Sequence, residues 1–359
     1  MKKITLFIVL SLLTIHFIGI ARDGGLFRSI NEDIDLAACE ALTGPVGAED
    51  MSIDPVRQLA YIAADDRRQA FINNSPLEYS NGGIWVLDLS KPDSQAKQLD
   101  IQMTGSFHPH GLALRFSDKN SIDAGRAIEL YVVNHKDISS HEVDVFAISS
   151  SGELKLRRRI SAPEFISPND LVVVGKDKFF FSNDHGNSRP SPMVMLEDYL
   201  GLPLSSVGYF DGAEGHIVID NLRHTNGLAV SDDQQTLYVA ESTARQISRY
   251  QRGESNTQWD LRDSLNVLTG IDNLEWDQQG NLLTGAHPRL FDFIAHAENN
   301  DNKSPSEVVR IDVSSEDMSY ETIYLNSGEA ISGSSVAAQF NQQLLIGSVF
   351  EAHFLRCSL

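Results

Sequence analysis

Thr225-Asn226-Gly227-Leu228-Ala229-Val230, then a polar turn at Ser231-Asp232-Asp233, then Leu237-Tyr238-Val239-Ala240: this stretch reads as a hairpin. Its apolar runs are too short for helices, and the residues between them tolerate turn geometry. The first run opens with a polar pair and an aliphatic residue, and the same opening recurs along the chain. The copies are Glu49-Asp50-Met51, His110-Gly111-Leu112, Asn169-Asp170-Leu171, Asn226-Gly227-Leu228, Asp272-Asn273-Leu274 and Ser334-Ser335-Val336. They lie 61, 59, 57, 46 and 62 residues apart. After each copy the chain turns into a second apolar run, for example Leu130-Tyr131-Val132-Val133, Phe179-Phe180-Phe181 and Leu344-Leu345-Ile346. Later runs such as Gly83 to Leu89 and Val308 to Ile311 complete each unit.

A repeat of this length with about four short strands per unit is a propeller blade. Length alone allows two domains or one large all-β unit. Six blades occupy nearly all of the chain, so the expected fold is all-β, a single six-bladed β-propeller over 22–359, rather than a β-sandwich or an open solenoid. One helix is expected, around 195–202.

In a propeller, equivalent positions of every blade meet around the central axis. The first column of the repeat is Glu49, His110, Asn169, Asn226, Asp272 and Ser334, a ring of oxygen donors with one imidazole where a plain core would be apolar. One Asn or Asp in such a place reads as a turn residue; four at equivalent positions do not. Carboxylates and amides, with Asn273 beside Asp272, form the hard shell that calcium prefers, whereas zinc calls for more His or Cys. His110 in the ring can take a proton from water at neutral pH, with His135 as a second member.

The chain carries 49 acidic and 29 basic residues, a formal charge of −20, which argues against nucleic acid or anionic membranes as partners and favours cations. It starts Met1-Lys2-Lys3 and runs apolar to about Ala21, which reads as an export signal over 1–21. Gly19-Ile20-Ala21 offers a cleavage site; uncut, the run would serve as an N-terminal anchor and the sole route to a membrane. An exported, periplasmic or secreted protein with two cysteines pairs them, so Cys39 and Cys357 are expected to form a disulfide joining the N- and C-terminal segments.

The segments Gly47-Ala48-Glu49-Asp50, Pro109-His110-Gly111, Val132-Val133-Asn134-His135, Pro168-Asn169-Asp170, Ser182-Asn183-Asp184-His185, Thr225-Asn226-Gly227 and Ile271-Asp272-Asn273 stand in fixed order at the blade starts. From about Cys39 to the C-terminus the sequence resembles the paraoxonase and arylesterase family of calcium-dependent esterases and lactonases. The resemblance implies a propeller holding two calcium ions. It matches Glu49, Asn169, Asn226, Asp272 and Asn273 to the ligands of a catalytic calcium, and Asp50, Asp170 and the Leu112 carbonyl to a buried structural one. It also implies that calcium polarises a substrate carbonyl while His110, assisted by His135, activates water; Asp272 is an alternative base or nucleophile. His287 matches a pocket histidine. Ala286 stands where vertebrate members carry a free cysteine, so no thiol role exists here. The stretches 65–81 and 196–212, which cover the site in the family, match loosely.

The expected function is thus calcium-dependent hydrolysis of aryl esters and lactones, with a small-molecule substrate. A gluconolactonase-like or strictosidine-synthase-like propeller enzyme, and a non-catalytic propeller stabilised by calcium, are the alternatives. The His110 and His135 pair weighs against the first, and the full donor set in the channel against the second.

Overall fold

The paired apolar runs become antiparallel strands whose two faces are both buried, which is why they read as continuous apolar segments rather than alternating ones. In the computed structural model, residues 14, 17–30, 34, 38–69, 82–117, 125–255 and 257–359 are described. Most of the 1–21 leader and residues 70–81 of the 65–81 loop lie outside the described residues.

Six four-stranded sheets follow one another. The first is β2 (Ala48–Asp54), β3 (Leu59–Ala64), β4 (Gly83–Asp88) and β5 (Lys97–Gln98). The second holds β6 (Pro109–Phe116), β7 (Ala127–His135), β8 (His141–Ile148) and β9 (Leu154–Ile160). The third holds β10 (Pro168–Gly175), β11 (Lys178–Asn183), β12 (Ser205–Phe210) and β13 (Gly215–Leu222). The fourth holds β14 (Thr225–Val230), β15 (Thr236–Glu241), β16 (Gln246–Arg252) and β17 (Trp259–Asn266). The fifth holds β18 (Gly270–Trp276), β19 (Leu282–His287), β20 (Ser306–Asp312) and β21 (Ser319–Asn326). The sixth is built from both ends of the chain: β22 (Ser334–Phe340), β23 (Gln343–Ser348) and β24 (His353–Ser358) pair in order, and β1 (Ala38–Thr43) adds the outer strand.

This last sheet closes the ring. Cys39 lies directly across from Cys357 in the β1–β24 pair, and the two form the expected disulfide. In the entropy model a bridge spanning so much chain restricts the unfolded state by about 4–5 kcal/mol. The innermost strands β2, β6, β10, β14, β18 and β22 each touch the next, and β22 touches β2.

The core is six apolar wedges, one between each pair of neighbouring sheets. Phe179 and Phe181 point back to Tyr131 and Val143 of the second sheet, while Phe180 between them points forward to Leu228 and Trp259 of the fourth. The period of two along β11 thus feeds two wedges at once. Met51, Val336 and Phe354 fill the wedge across the seam. Blades come close enough at two repeat positions to demand glycine. A Cβ on Gly111 would sit 2.5 Å from the Asn169 carbonyl oxygen, and one on Gly227 would sit 2.4 Å from the Leu274 nitrogen.

The helix expected around 195–202 forms two to three residues earlier, as α1 (Pro192–Leu200). Ser191 caps it by accepting the Met193 N–H, Pro192 opens it, and Gly201 ends it in the left-handed region at φ 57°. A second helix, α2 (Leu290–Glu298), was not expected. It lies within the β19–β20 connection. Residues 17–23 are also helical.

Candidate active site

Each innermost strand loses register with its neighbour at the polar pair: between Ala48 and Asp50, Pro109 and Leu112, Pro168 and Leu171, Thr225 and Leu228, Ile271 and Leu274, and Ser334 and Val336. Such a bulge turns side chains out of the pleat, and here it does so at one level in all six blades. The repeat read from the sequence is therefore a repeat of bulges, and it delivers its polar pairs to the channel.

Five of the first- and second-column residues present a buried oxygen with no hydrogen-bond partner in the protein: Glu49 Oε2, Asn169 Oδ1, Asn226 Oδ1, Asp272 Oδ1 and Asn273 Oδ1. Leaving each unmade costs about 1–3 kcal/mol. The remaining polar atoms of several of these residues are fixed. Asn273 donates to Glu49 Oε1 at 2.8 Å and to the Glu49 carbonyl at 3.0 Å, and Ser335 Oγ donates to that same carbonyl at 2.7 Å. His287 Nε2 meets Asp272 Oδ2 at 2.8 Å while its ring stacks on Phe293 at 3.9 Å. An all-oxygen donor set held with one face unpaired fits a hard divalent cation such as calcium.

The second-column carboxylates differ. Asp50 accepts the backbone N–H of Met51 at 2.8 Å and of Leu112 at 2.7 Å; Asp170 accepts those of Leu171 at 2.6 Å and of Leu228 at 2.7 Å. Burial pushes both carboxyls well above the usual range, as do Glu49 beside Asp50 and Asp50 beside Asp170. Glu275, which sequence reasoning missed, is raised by burial and by these same two aspartates. Three carboxylates crowded in this way call for a cation. Leu112 contributes its N–H to Asp50 here.

Burial also raises Asp272, against the pull of His287. Glu49 goes the other way: burial opposes its ionisation, yet His110, Arg67 and Asn273 outweigh it and hold the carboxyl at about 2. His110 Nε2 lies 3.5 Å from Glu49 Oε1, and Arg67, also missed, lies 3.8 Å from Glu49 Oε2. His110 Nδ1 meets His135 Nε2 at 2.8 Å, so the two expected histidines do form a pair. Ser334 alone leaves the ring: its hydroxyl donates to the Ala286 and Glu307 carbonyls inside the fold.

Beside the ring stands a cluster of His185, Asp198 and His224, tied in through Asp184 and Asn169. His185 bridges Asp184 Oδ1 at 2.6 Å and Asp198 Oδ1 at 2.7 Å. Burial opposes its charge, but the two carboxylates raise it to about 10, so it is an imidazolium. Ligands of one tetrahedral zinc stand about 3.3 Å apart, whereas 2.7 Å is a hydrogen bond. The cluster is an ion-pair latch that fastens α1 to the third blade. Only the Asp184-His185 half of it was legible, as a motif; Asp198 and His224 come from distant elements.

A family model described as Arylesterase matches residues 34–359. The chain is 31% identical to serum paraoxonase/arylesterase 2 of Bos taurus, over 91% of this chain and 90% of that one. It is likewise 31% identical to serum paraoxonase/arylesterase 1 of Homo sapiens, over 89% and 88%. Among solved structures it resembles a gluconolactonase from Xanthomonas campestris, at TM-score 0.52 and 15% identity, covering 92% of this chain and 99% of that one. A luciferin-regenerating enzyme also superposes, at TM-score 0.52 and 11% identity over 89% and 94%; at such identities these two speak for the fold alone. The match over nearly the whole chain and the relatives' identity place this protein in the arylesterase family, whose members are hydrolases acting on ester bonds.

Proposed function

We propose that this chain hydrolyses carboxylic esters, aryl esters and lactones among them, with a calcium ion held by Glu49, Asn169, Asn226, Asp272 and Asn273. The observation that carries the reading is the set of five buried, unpartnered oxygens on those five residues. A second ion is proposed at Asp50, Asp170 and the Leu112 carbonyl, where buried like charges need a counter-ion. Bound at the first site, calcium supplies a Lewis acid for the ester carbonyl and its developing negative charge.

The protein's own groups do the rest. His110 presents Nε2 toward the ring and acts as base on the attacking water, with His135 at its Nδ1. Asp272, held by His287, is the alternative base or nucleophile. The His287 ring, stacked on Phe293, lines the substrate side. The substrate is a small molecule. The cysteine bridge and the serum proteins among the relatives support export, with 1–21 as leader and 22–359 as one hydrolase unit. Among the described residues no helix is long and apolar enough to cross a membrane.

The test is hydrolysis of an aryl ester and a panel of lactones by purified protein, with calcium, with chelator, and after calcium is restored. Turnover should fall below detection under chelation and return with calcium. A folded, calcium-binding protein inert toward the whole panel would overturn the reading in favour of a binding propeller.

A further inference from the structure

Helix α2 has a weak start. Its N-cap residue, Arg289, makes no side-chain cap hydrogen bond, although the first N–H groups of a helix have no partners within it. The missing partner comes from the N-terminal segment: the Gly24 carbonyl accepts the Leu290 N–H at 3.0 Å. The turn that carries Gly24 is fastened to the propeller on either side. The Arg22 carbonyl accepts from Arg245 Nη1 at 2.9 Å. Arg28 Nη2 donates to Glu307 Oε1 at 2.7 Å, and its Nη1 to the Leu268 carbonyl at 3.3 Å. Glu307 is buried, and a buried carboxylate needs such a partner. Between these anchors the segment runs close against the entrance to α2: a Cβ on Gly25, whose φ is 72°, would overlap the Pro288 carbonyl oxygen.

The start of α2 adjoins the ring. Pro288 and Arg289 join the helix to His287, the last residue of β19. One turn in, Phe293 stacks on the His287 ring, with centroids 3.9 Å apart and planes 27° from parallel. His287 Nε2 meets Asp272, whereas Nδ1 is buried with no hydrogen-bond partner among the described residues. The phenyl face, rather than a second hydrogen bond, therefore sets the tilt of the imidazole. Leu290 packs toward Gly270, two residues before Asp272; a Cβ there would sit 2.8 Å from Leu290 Cδ2. Glu307 stands directly across from Ala286 in the β19–β20 pair, so the Arg28 anchor also lies beside His287 in the sheet. The other end of α2 is held separately, by His296 with the Asn302 carbonyl at 2.7 Å and with Glu351 at 3.3 Å. The N-terminal segment thus governs the one end of the helix that adjoins His287.

We infer that residues 22–28 form a positioning strap for the candidate active site: with Gly24 as cap and Arg28 as anchor, they hold the start of α2 so that Phe293 keeps His287 on Asp272. This rests on the proposed function, in which Asp272 serves the ion and the reaction. The strap begins past the expected 1–21 leader, so it stays with the protein whether that leader is cut or kept. Partners that fix a metal ligand from behind are worth about 10–100-fold in affinity or activity, and the strap, acting one step further out through His287, should be worth about 10-fold.

The test uses the full, calcium-loaded chain with the His287 ring protons assigned by NMR. Lying over the Phe293 face, they should resonate upfield of those of a free imidazole. Gly25→Ala sets a methyl against the Pro288 carbonyl and lifts the strap without removing a charge. In that variant the His287 protons should move back downfield, and amide exchange should quicken at Leu290 while β18 and β19 stay protected. Its kcat/KM on an aryl ester should fall about 10-fold. Arg28→Met combined with Glu307→Gln, which frees the anchor without stranding a buried carboxylate, should do the same. Wild-type ring protons at free-imidazole positions would overturn the inference, as would either variant, folded, with His287 unshifted or with kcat/KM undiminished. Failure of the ester-hydrolase reading looks different: the wild-type protein turns over no ester, while the ring shift and the exchange, read without substrate, still decide whether the strap holds His287.

Discussion

In the first and third blades the two residues of the bulged pair, Glu49 with Asp50 and Asn169 with Asp170, behave in opposite ways. In the first column and at Asn273, oxygens are buried and left without partners; at Asp50 and Asp170, both carboxylate oxygens are taken by backbone N–H groups. The difference is one of reach. Asp50 in the first blade bonds Leu112 of the second, and Asp170 in the third bonds Leu228 of the fourth, so these carboxylates staple neighbouring blades. The glycines Gly111 and Gly227, which let the strands approach closely, stand one residue before the N–H groups that are stapled. One half of the repeat holds the ring shut, and the other keeps donors in reserve for a ligand. The lesson is that burial of a charged residue tells little until its partners are counted.

The same Asp→Asn change, made in each column, should break the symmetry of that comparison most sharply. Asp272→Asn removes a charge from the ligand set; at the scale of a lost oxyanion-stabilising group, kcat on an aryl ester should fall about 10²–10³-fold. Its calcium-free stability should hold or rise, because the Asp272 carboxyl is raised by burial and a neutral amide relieves that cost. Activity together with urea unfolding under chelator checks both halves. A variant that loses activity only because it unfolds would place Asp272 with the staples.

Asp50→Asn should do the reverse. An amide has one acceptor oxygen and one donor nitrogen, so it can satisfy the N–H of Met51 or of Leu112 but not both. Each backbone N–H left buried and unpaired costs about 1–3 kcal/mol, and the loss should appear in urea unfolding with or without calcium. Unchanged stability in chelator would mean that the staple has no force without its ion.

The columns also mark what the sequence made legible. The six pairs, the four-strand units and the closing cysteines were all visible, because a repeat of bulges spaces its polar residues as regularly as its apolar ones. Ser334 was read into the ring because position was legible and hydroxyl direction was not. Helix α2 escaped because it sits inside a connection that the repeat treats as a turn. His141, which meets His135 across the β7–β8 hairpin, left a signal that was passed over: the two flank a five-residue polar turn, the place where a hairpin sets two side chains opposite each other. Asp198 and His224 left none: α1 lies in the β11–β12 connection and His224 just before β14, and nothing in the sequence marks their side chains as meeting His185 at the end of β11.

That latch extends the comparison outward, to a pair of carboxylates partnered by a side chain rather than by backbone, and it should give the smallest effect. His185 is raised from an ordinary 6.5 to about 10 by Asp184 and Asp198. A cationic group raised on folding stabilises fully below its unfolded value, and the contribution fades as pH climbs through the folded one. The hold on α1 should therefore be complete below about pH 6.5 and lost toward about pH 10. Amide exchange in α1, corrected for its intrinsic base catalysis, should quicken over that window while β10 and β14 stay protected, and His185→Gln should remove the pH dependence. Exchange in α1 that tracks the ring strands at every pH would mean that the helix is held by its apolar packing and the ion pairs are incidental.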